Sequence, residues 1–278
     1  MSAVLVLCHA TGLMAYTRTF STLGCPDLSL EETFAFARRH GLPGVELRAL
    51  KGTIDLVTHF SATYGSPEAL AERLRDEPIK ILSLDTSLKL AGGTDADREE
   101  FLKFIPWAEA LGVTWLRVFD GGQAADTTAH REMAKTVAWW RVLKSTNNWR
   151  SDIMIETHDA LFTAAAINQF LRLAPGTAIL WDTHHTWKKG GEDPVKTWTE
   201  IRAHVVHLHV KDSVSIPSEK HPFSYRLPGE GEFPMAPLRE LVQLEFEGPM
   251  SLEWERLWHP SLGPLDEALT SATQRGWW

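Results

Sequence analysis

The sequence of 278 residues predicts an α/β fold, a single (β/α)8 barrel of the TIM-barrel type. Eight short apolar segments rich in β-branched and aromatic residues alternate with segments of helical spacing, and no long linker separates them. The length is ordinary for one such barrel. An open doubly wound sheet would alternate in the same way, but no glycine-rich phosphate loop follows any of the eight segments.

The eight predicted strands are spaced so that a helix fits between successive strands. In chain order they cover residues 18–24, 44–48, 80–86, 114–120, 152–158, 177–183, 204–210 and 249–255. The stretch SLEETFAFARRHG predicts a helix with a capping box of Ser29 and Glu32 and a stop at Gly41. Three further helices are predicted for DREEFLKFIPWAEALG, HREMAKTVAWWRVLKS and PMAPLRELVQLEF.

Residues 1–13, MSAVLVLCHATGL, are expected to be a disordered N-terminal extension of a barrel domain that covers residues 14–278. Their apolar run is too short to span a bilayer, and they lack the positive charge and clear cleavage site of an export signal. The chain has only two cysteines, which fits a reducing compartment, so a cytoplasmic location is expected.

The charge of the chain argues against nucleic-acid and membrane partners. Lys and Arg number 28 against 36 Asp and Glu, a formal net charge of −8. Such a surface is poorly suited to a phosphate backbone or an anionic bilayer, so a small-molecule substrate is expected. The C-terminal RGWW is predicted to be exposed, which suggests an interface in a homo-oligomer.

Polar side chains recur on the inward face of the predicted strands. Successive side chains of a strand point to opposite sides. In the strand at 204–210, Leu208 and Val210 therefore face the helices. The alternate residues His207, His209 and Lys211 face the barrel interior. The same parity points further ionisable groups inward, near the strand ends where barrel enzymes place their chemistry: Glu46, Arg48, Asp85, Glu156, His158, Asp182, Glu253 and Glu255.

Four inward groups predict a site for one divalent metal ion. Several charges cannot be buried together unpaired, and a cation removes that cost. Three carboxylates and one imidazole suit Mn²⁺, Mg²⁺ or Co²⁺, with Zn²⁺ as a further candidate. The alternative is that the carboxylates form ion pairs with Lys and Arg. The four groups lie on consecutive strands at spacings of 26, 27 and 44 residues: Glu156, Asp182, His209 and Glu253.

Other inward residues each have two interpretations. Lys211 binds a substrate oxygen or neutralises a ligand carboxylate. His158 contacts substrate or hydrogen-bonds a metal ligand. Glu46 and Arg48 form an ion pair, the favoured reading, or reach substrate, and His207 is favoured as a core histidine. Residues expected at the rim or near the mouth are Asp85, Arg117, Trp187, Trp254 and Trp258.

The ordered set of motifs resembles the sugar-phosphate isomerase/epimerase superfamily of xylose-isomerase-like TIM barrels. The matching stretches are STLGCPDLSLEE, GVELR, IMIETHD, WDTHH, HLHVKD, LPGEGEFP and SLEWE. The resemblance implies the same four metal ligands as strand parity, and it implies that His185 contacts a substrate oxygen. Epimerases of that group have an arginine soon after the metal-binding histidine. Here Lys211 comes early and Arg226 late. HLHVKD with LPGEGEFP looks more like the inosose dehydratase side of the superfamily or its many uncharacterised members, and the motifs do not choose between these two.

The predicted function is that of a metal-dependent isomerase or epimerase of a ketose or related sugar. The metal polarises a carbonyl, and a carboxylate removes the adjacent proton to give an enediolate. Glu156 and Glu253 are assigned as the acid/base pair in addition to being ligands. If a β-hydroxyl leaves instead, the enzyme is a lyase acting on a keto-sugar or keto-inositol, and this alternative stays open.

Two other classes are disfavoured. A nuclease of the endonuclease IV type needs more histidine ligands and a basic surface. A metal of purely structural role would be fully enclosed by protein ligands, whereas a catalytic metal keeps an open position. The absence of a glycine-rich helix start favours an unphosphorylated substrate.

Overall fold

The computed structural model describes residues 16–123 and 126–278 of the chain. Eight parallel strands form a nearly closed barrel surrounded by helices, as predicted. The extension expected at residues 1–13 lies outside the described residues. The barrel strands are β1 Thr17–Phe20, β2 Gly44–Leu47, β3 Lys80–Ala91, β4 Trp115–Gly121, β5 Asp152–Glu156, β6 Ala178–Asp182, β7 Val205–Val210 and β10 Pro249–Leu252.

Helices lie between the strands, and one hairpin follows β7. The hairpin strands are β8 Asp212–Val214 and β9 Ser224–Arg226. No described helix is long and apolar enough to cross a bilayer. The helices are α1 Leu30–Arg39, α2 Leu56–Tyr64, α3 Pro67–Arg73, α4 Asp95–Leu102, α5 Ile105–Leu111, α6 Thr127–Asn147, α7 Ala164–Leu173, α8 Thr183–Lys188, α9 Pro194–Ile201, α10 Met235–Glu245 and α11 Leu265–Gln274.

The barrel strands neighbour one another in the order β1-β10-β7-β6-β5-β4-β3-β2. A parallel bridge between Ser21 and Glu46 connects the two ends of this sheet. In the ladders, Asp182 is opposite His209, and Ser251 is opposite His209 on the other side. Because all the strands run in one direction, the residues at their C-terminal ends meet at one end of the barrel.

Outward strand residues pack against the helices, as parity predicts. Trp181 of β6 stacks on Trp198 of α9 with ring centroids 6.1 Å apart. Leu208 and Val210 of β7 are completely buried. This outer layer is apolar, so it leaves the inner face of the strands to carry the polar groups.

Local boundaries differ from the prediction most clearly at β1, at β3 and between α4 and α5. β1 ends at Phe20, and Thr22–Gly24 form a 3-10 turn that Ser21 caps. β3 continues to Ala91.

The single helix predicted for DREEFLKFIPWAEALG is wrong, because the chain forms α4 and then α5. Pro106 lies in the first turn of α5, where its missing N–H is tolerated; inside a continuous helix it would break the hydrogen-bond ladder. The capping box of Ser29 and Glu32 is present.

The C-terminal aromatic residues are buried, so the expectation that RGWW is exposed is wrong. Trp277 and Trp278 are 7% and 4% exposed. Gly276, with φ +56°, lets the chain turn back after α11, and Trp277 then packs against Phe233 with ring centroids 6.2 Å apart. These side chains contribute to the core of one chain, and the interface inferred from them loses its basis.

Replacing Trp277 with alanine is expected to lower the free energy of unfolding by about 3 kcal/mol, because it leaves a cavity under the C-terminal segment. Urea denaturation measures this loss. Trp258, which is 42% exposed, is the matched control, and Trp258→Ala should cost less than about 1 kcal/mol. Equal small losses for the two variants would contradict the burial of Trp277.

Candidate active site

A cavity of about 290 Å³ opens at the C-terminal end of the barrel strands. Five of the nine site residues predicted from sequence line its wall. Asp182, His209 and Glu46 are fully buried and lie outside the lining, and Arg226 is exposed elsewhere. The wall consists of Leu23, Arg48, Lys89, Arg117, Phe119, Glu156, His158, Asp159, His185, Lys211, Glu253, Glu255 and Trp258.

Glu156, Asp182, His209 and Glu253 form one compact cluster at the base of this cavity. One oxygen or nitrogen atom of each residue lies within 4.8 Å of those of the other three. His209 Nδ1 is 3.3 Å from Glu253 Oε1 and 3.5 Å from Glu156 Oε1. Glu253 follows β10 directly, and its N–H donates to the carbonyl of Val210 at 3.1 Å. Strand register therefore brings the four groups together.

Three members of this cluster have a buried atom without a hydrogen bond of regular geometry to a described residue: Glu156 Oε2, Asp182 Oδ2 and His209 Nδ1. Each of these atoms still has an ion-pair partner within 3.5 Å. The two carboxylate oxygens of Asp182 have different contacts. Its Oδ1 accepts hydrogen bonds from the N–H groups of His184 and His185 and so caps α8. Buried polar atoms without a hydrogen bond are costly. A divalent cation would satisfy all three, so the donor set fits a metal ion.

Glu46 holds the opposite nitrogen of His209. Its Oε2 is 2.9 Å from His209 Nε2, 3.0 Å from His207 Nε2 and 2.8 Å from the Ser251 hydroxyl. Burial opposes ionisation, but the two histidines keep the pKa of Glu46 well below its ordinary value. A carboxylate can only accept, so His209 donates through Nε2, and Nδ1 is the atom that faces the cluster.

The ion pair predicted between Glu46 and Arg48 is wrong. The Arg48 guanidinium donates to the Asp85 carbonyl at 3.3 Å and to Ser87 Oγ at 3.0 Å. Residues two apart on a strand share a face but are about 6.6 Å apart along it. Glu46 therefore lies deep in the barrel while Arg48 lies at the mouth. His207 is buried and hydrogen-bonded, as expected of a core histidine.

Arg117 and Asp85, expected at the rim, are buried inside the barrel with exposures of 1% and 0%. Arg117 Nε is 3.3 Å from Glu156 Oε2, and its guanidinium is 3.6 Å from Asp85. Its guanidinium also lies 4.0 Å above the centre of the Phe119 ring. Strand parity predicted correctly that Asp85 faces inward, but it did not predict the depth of either residue. Arg117 is only the third residue of β4, well short of the C-terminal end.

Lys211 is the second buried cation of the cluster. Its ammonium is 2.8 Å from Asp182, 2.5 Å from Glu253 and 2.6 Å from Glu255. Burial disfavours the charge, but these three carboxylates raise the pKa of Lys211 well above its ordinary value. Arg117 contacts Glu156 and Asp85, so five carboxylates share these two cations. The remaining negative charge is what a divalent ion would balance.

His185 is held as a neutral imidazole. Its Nδ1 is 3.0 Å from the Thr157 carbonyl and 3.0 Å from Asp182 Oδ2. Because a carbonyl can only accept, Nδ1 carries the proton and Nε2 remains an acceptor. Burial and the nearby Lys211 ammonium lower the pKa of His185 well below its ordinary value. His185 can therefore accept a hydrogen bond from a hydroxyl in the cavity.

His158 lies beside His185, with ring centroids 4.8 Å apart. Its Nδ1 is 2.7 Å from Asp159 Oδ1. Burial favours the neutral form, but this hydrogen bond and the Glu156 charge raise the pKa of His158 above its ordinary value. His158 therefore differs from its neighbour, since it presents a potential proton donor to the cavity.

Comparison with known proteins identifies the family of the chain. The sequence matches the xylose isomerase-like TIM barrel family over residues 34–274, most of the chain. The chain belongs to this family. No curated protein sequence matches it significantly.

Solved structures of the same fold are distant in sequence from this xylose isomerase-like barrel. The probable 3-DHS dehydratase AsbF from Bacillus anthracis aligns with a TM-score of 0.75 at 18% identity, over 94% of this chain and 98% of that chain. The IolI protein with a bound zinc atom gives 0.69 at 15% identity, over 94% and 96%. A D-tagatose 3-epimerase-like protein gives 0.63 at 14%, over 94% and 96%. At these identities the likeness establishes the fold.

Tyr225 contacts a residue of the cavity wall, which the sequence did not reveal. Its hydroxyl donates to Glu255 Oε1 at 2.8 Å, and so extends the contact between Glu255 and Lys211. The adjacent Arg226, predicted to bind substrate, instead projects to the exposed side and donates to the Tyr225 carbonyl. A hairpin of three-residue strands has too few positions for a periodic pattern, so the sequence carries no signal for this contact.

Two of the family motifs form a structural unit. Asp212, at the end of HLHVKD, accepts hydrogen bonds from the backbone N–H groups of Gly229, Gly231 and Phe233 in LPGEGEFP. Gly229 has φ +85°, and a Cβ on Gly231 would lie 2.1 Å from Asp212 Oδ1. Both positions therefore require glycine. The motif anchors the loop after the β8–β9 hairpin and thereby fixes the position of Tyr225.

His184 packs against the same hairpin. It is fully buried, and its Nε2 is 2.8 Å from the Ser213 hydroxyl. Its ring lies against Phe223 and Tyr225 at centroid distances of 4.9 and 5.7 Å. Burial and Lys211 lower the pKa of His184 well below its ordinary value, so it is neutral in the folded protein.

The free energy of unfolding should therefore fall as the pH drops below about 6.5. In that range His184 is protonated in the unfolded chain but stays neutral in the folded protein. One such histidine contributes up to about 1.4 kcal/mol per pH unit. Urea denaturation of His184→Gln between pH 7 and pH 5 should give a shallower loss than wild type. Ser213→Ala is the control, because it lowers stability at every pH but keeps the imidazole and hence the slope. An unchanged slope in His184→Gln would contradict the assignment.

Proposed function

We propose that this protein is a divalent-metal-dependent isomerase or epimerase of a ketose or related sugar-like substrate. The observation that carries the proposal is the buried cluster of Glu156, Asp182, His209 and Glu253, whose ligand atoms lie within 4.8 Å of one another at the base of an open cavity. Membership of the xylose isomerase-like family supports it. A cluster next to an open cavity leaves room for substrate, which a closed structural metal site does not.

The donor set would hold one cation through three carboxylates and His209 Nδ1. Such a set suits Mn²⁺, Mg²⁺, Co²⁺ or Zn²⁺, and the related IolI structure contains zinc. When bound, the cation would polarise a substrate carbonyl and stabilise the negative charge that develops on it. Glu46 orients the imidazole for this task by accepting the Nε2 proton.

Glu156 and Glu253 would move the proton next to the carbonyl. Burial opposes ionisation of both, but Arg117 lowers the pKa of Glu156, and His209 and Lys211 lower that of Glu253. Both groups are therefore carboxylates at neutral pH, as bases must be. They enter the cavity from β5 and from the end of β10, with β6 and β7 between them. Two carboxylates at separate positions suit proton removal on one face and return on another.

Other residues would position the substrate. His185 Nε2 accepts a hydrogen bond from a hydroxyl, and the Lys211 ammonium donates to an oxygen. Trp258 and Phe119 supply aromatic faces on the same wall, which suit the C–H surface of a sugar. These contacts orient a polyol chain without requiring a phosphate group.

A lyase acting on a keto-sugar or keto-inositol is the second candidate. The observation that favours it is the hydrogen-bonded chain from Lys211 through Glu255 to Tyr225, which would supply a proton to the cavity through Lys211 and Glu255 on its wall. Loss of a β-hydroxyl needs such a donor for the leaving group. AsbF, a structural neighbour, is itself described as a dehydratase.

The purified protein is expected to contain about one equivalent of Mn, Mg, Co or Zn, and Asp182→Asn should lose most of it, because one carboxylate ligand becomes a neutral amide. Elemental analysis of the protein gives the metal content. His207→Asn is the matched control. His207 is as deeply buried as Asp182 and contacts Glu46, but it lies outside the cluster.

Loss of the metal in His207→Asn with retention in Asp182→Asn would place the ion instead at Glu46, His207 and His209, the deeper group of potential ligands. Absence of metal after incubation with all four ions would mean that Lys211 and Arg117 alone balance the carboxylates, and the proposed mechanism would be lost.

Glu156→Gln is expected to lower the rate of solvent proton exchange about 100-fold or more, because an amide cannot act as the base. The measurement follows deuterium incorporation from D₂O into ketoses, keto-inositols and keto-acid sugars by NMR. Deuterium in the recovered or isomeric sugar indicates an isomerase or epimerase, and loss of water indicates the lyase.

Asp152→Asn is the control for this assay, because Asp152 is on the same strand at the opposite end of the barrel, where it contacts Lys144 and Trp140. Its exchange rate should stay within about twofold of wild type. Wild-type exchange in Glu156→Gln would remove the catalytic assignment. No exchange by the metal-loaded wild type with any of these substrates would contradict the proposed function.

A further inference from the structure

Arg48 is a buried cation on the cavity wall with no carboxylate of its own. It follows β2 directly and is only 4% exposed. The hydrogen bonds of its guanidinium go to two uncharged groups, the Asp85 carbonyl and the Ser87 hydroxyl. Among the residues that the structure describes, no carboxylate forms an ion pair with it.

The other three cations of the wall are each paired with an acid. Arg117 contacts Glu156 and Asp85, Lys211 contacts three carboxylates, and Lys89 is 3.7 Å from Asp159. Burial and the neighbouring Arg117 charge lower the pKa of Arg48 to about 10, although the more distant charges of Asp85, Glu156 and Glu253 oppose this shift. No described carboxylate is in direct contact with this buried charge, so an anion bound against it would be favourable.

We infer that Arg48 binds a carboxylate group of the substrate, so that the substrate is a hydroxy or keto acid rather than a neutral sugar. This inference rests on the proposed function, which engages the carbonyl end of the molecule, and adds a second anchor. Two of the five guanidinium N–H donors are used within the protein. The remaining donors can meet a carboxylate, whose planar geometry matches the guanidinium fork.

The charge available at Arg48 suits a carboxylate better than a phosphate. A phosphate monoester carries about −1.5 to −2 at neutral pH and binds most strongly to several cations or to a helix N-terminus. Only one wall cation lacks a partner, and its single charge matches a monoanion. The sequence likewise has no glycine-rich helix start for a phosphate.

Arg48 is close enough to the cluster for one small molecule to reach both. The same cavity of about 290 Å³ is lined by Arg48, Glu156 and Glu253, and the charges of both glutamates act on the guanidinium. A cavity of this size is at the lower end of the range for small-molecule sites. The carboxylate and the reacting carbon therefore belong to one compact substrate.

Binding of three probes with one carbon chain and different end groups tests this inference. Isothermal titration calorimetry compares D-gluconate, D-glucitol and D-glucitol 6-phosphate on the metal-free protein, because gluconate can also bind a metal. Wild type should bind gluconate about 10- to 100-fold more tightly than glucitol, as expected for charge-assisted hydrogen bonds. Glucitol 6-phosphate should bind no more tightly than gluconate.

Arg48→Gln should abolish this preference while the Kd for glucitol stays within about twofold of wild type. Lys89→Gln is the matched control, a wall cation already paired with Asp159, and should keep the preference. Arg48→Lys, which keeps the charge but not the fork, should keep part of it. Circular dichroism shows whether each variant is folded, and the comparison of probes on wild type needs no variant.

Equal affinities of wild type for gluconate and glucitol, tighter binding of the phosphate, or a preference that survives in Arg48→Gln would each overturn the inference. Because binding is measured without turnover, its failure is separable from that of the proposed function. If no deuterium exchange is seen but the preference for gluconate depends on Arg48, the carboxylate site is supported and the proposed reaction is contradicted. If exchange behaves as proposed but gluconate and glucitol bind alike, only the carboxylate site is lost.

Discussion

The hydrogen bond between His209 and Glu46 is the contact on which the rest of the site depends. It joins β7 to β2 across the barrel interior at 2.9 Å and leaves the Nδ1 atom of the imidazole facing Glu156 and Glu253. Without an acceptor at Nε2 the ring could turn, and the cluster would lose its one nitrogen donor. The Ser21–Glu46 bridge where the barrel closes fixes the backbone of this acceptor as well. Glu46 therefore takes part both in closing the barrel and in orienting the imidazole of His209.

Electrostatics inside the barrel follows from the same arrangement. An apolar outer layer leaves the inner face of the strands to carry the charges, and few of them reach water. Lys211 and Arg117 neutralise part of the acidic cluster, and the hairpin held by Asp212 brings the Tyr225 hydroxyl to its edge. Arg48 is the exception, a buried cation without an acidic partner. The protein therefore leaves some charges unbalanced. A metal ion at the acidic cluster and an anionic substrate group at Arg48 would complete the site.

Much of this arrangement could be predicted because it depends on short-range regularities. Alternation along a strand has a period of two residues, so facing inward or outward is set by local sequence, and the four groups proposed as metal ligands do meet. Depth along the barrel axis depends on where each strand begins in the sheet. For that reason Arg117 and Asp85 were placed too near the rim, and Glu46 was paired with Arg48 instead of with the histidines of β7.

The sequence by itself determined the alternation of strands and helices, the apolar outer faces and the set of inward polar residues, because these are properties of neighbouring positions. Only the tertiary structure decided which inward groups contact one another, because those contacts join residues as far apart as Glu46 and His209. The burial of Trp277 and the contact of Tyr225 with Glu255 belong to the same class. So does the unpaired state of Arg48, since whether a charge lacks a partner depends on every strand that could have supplied one.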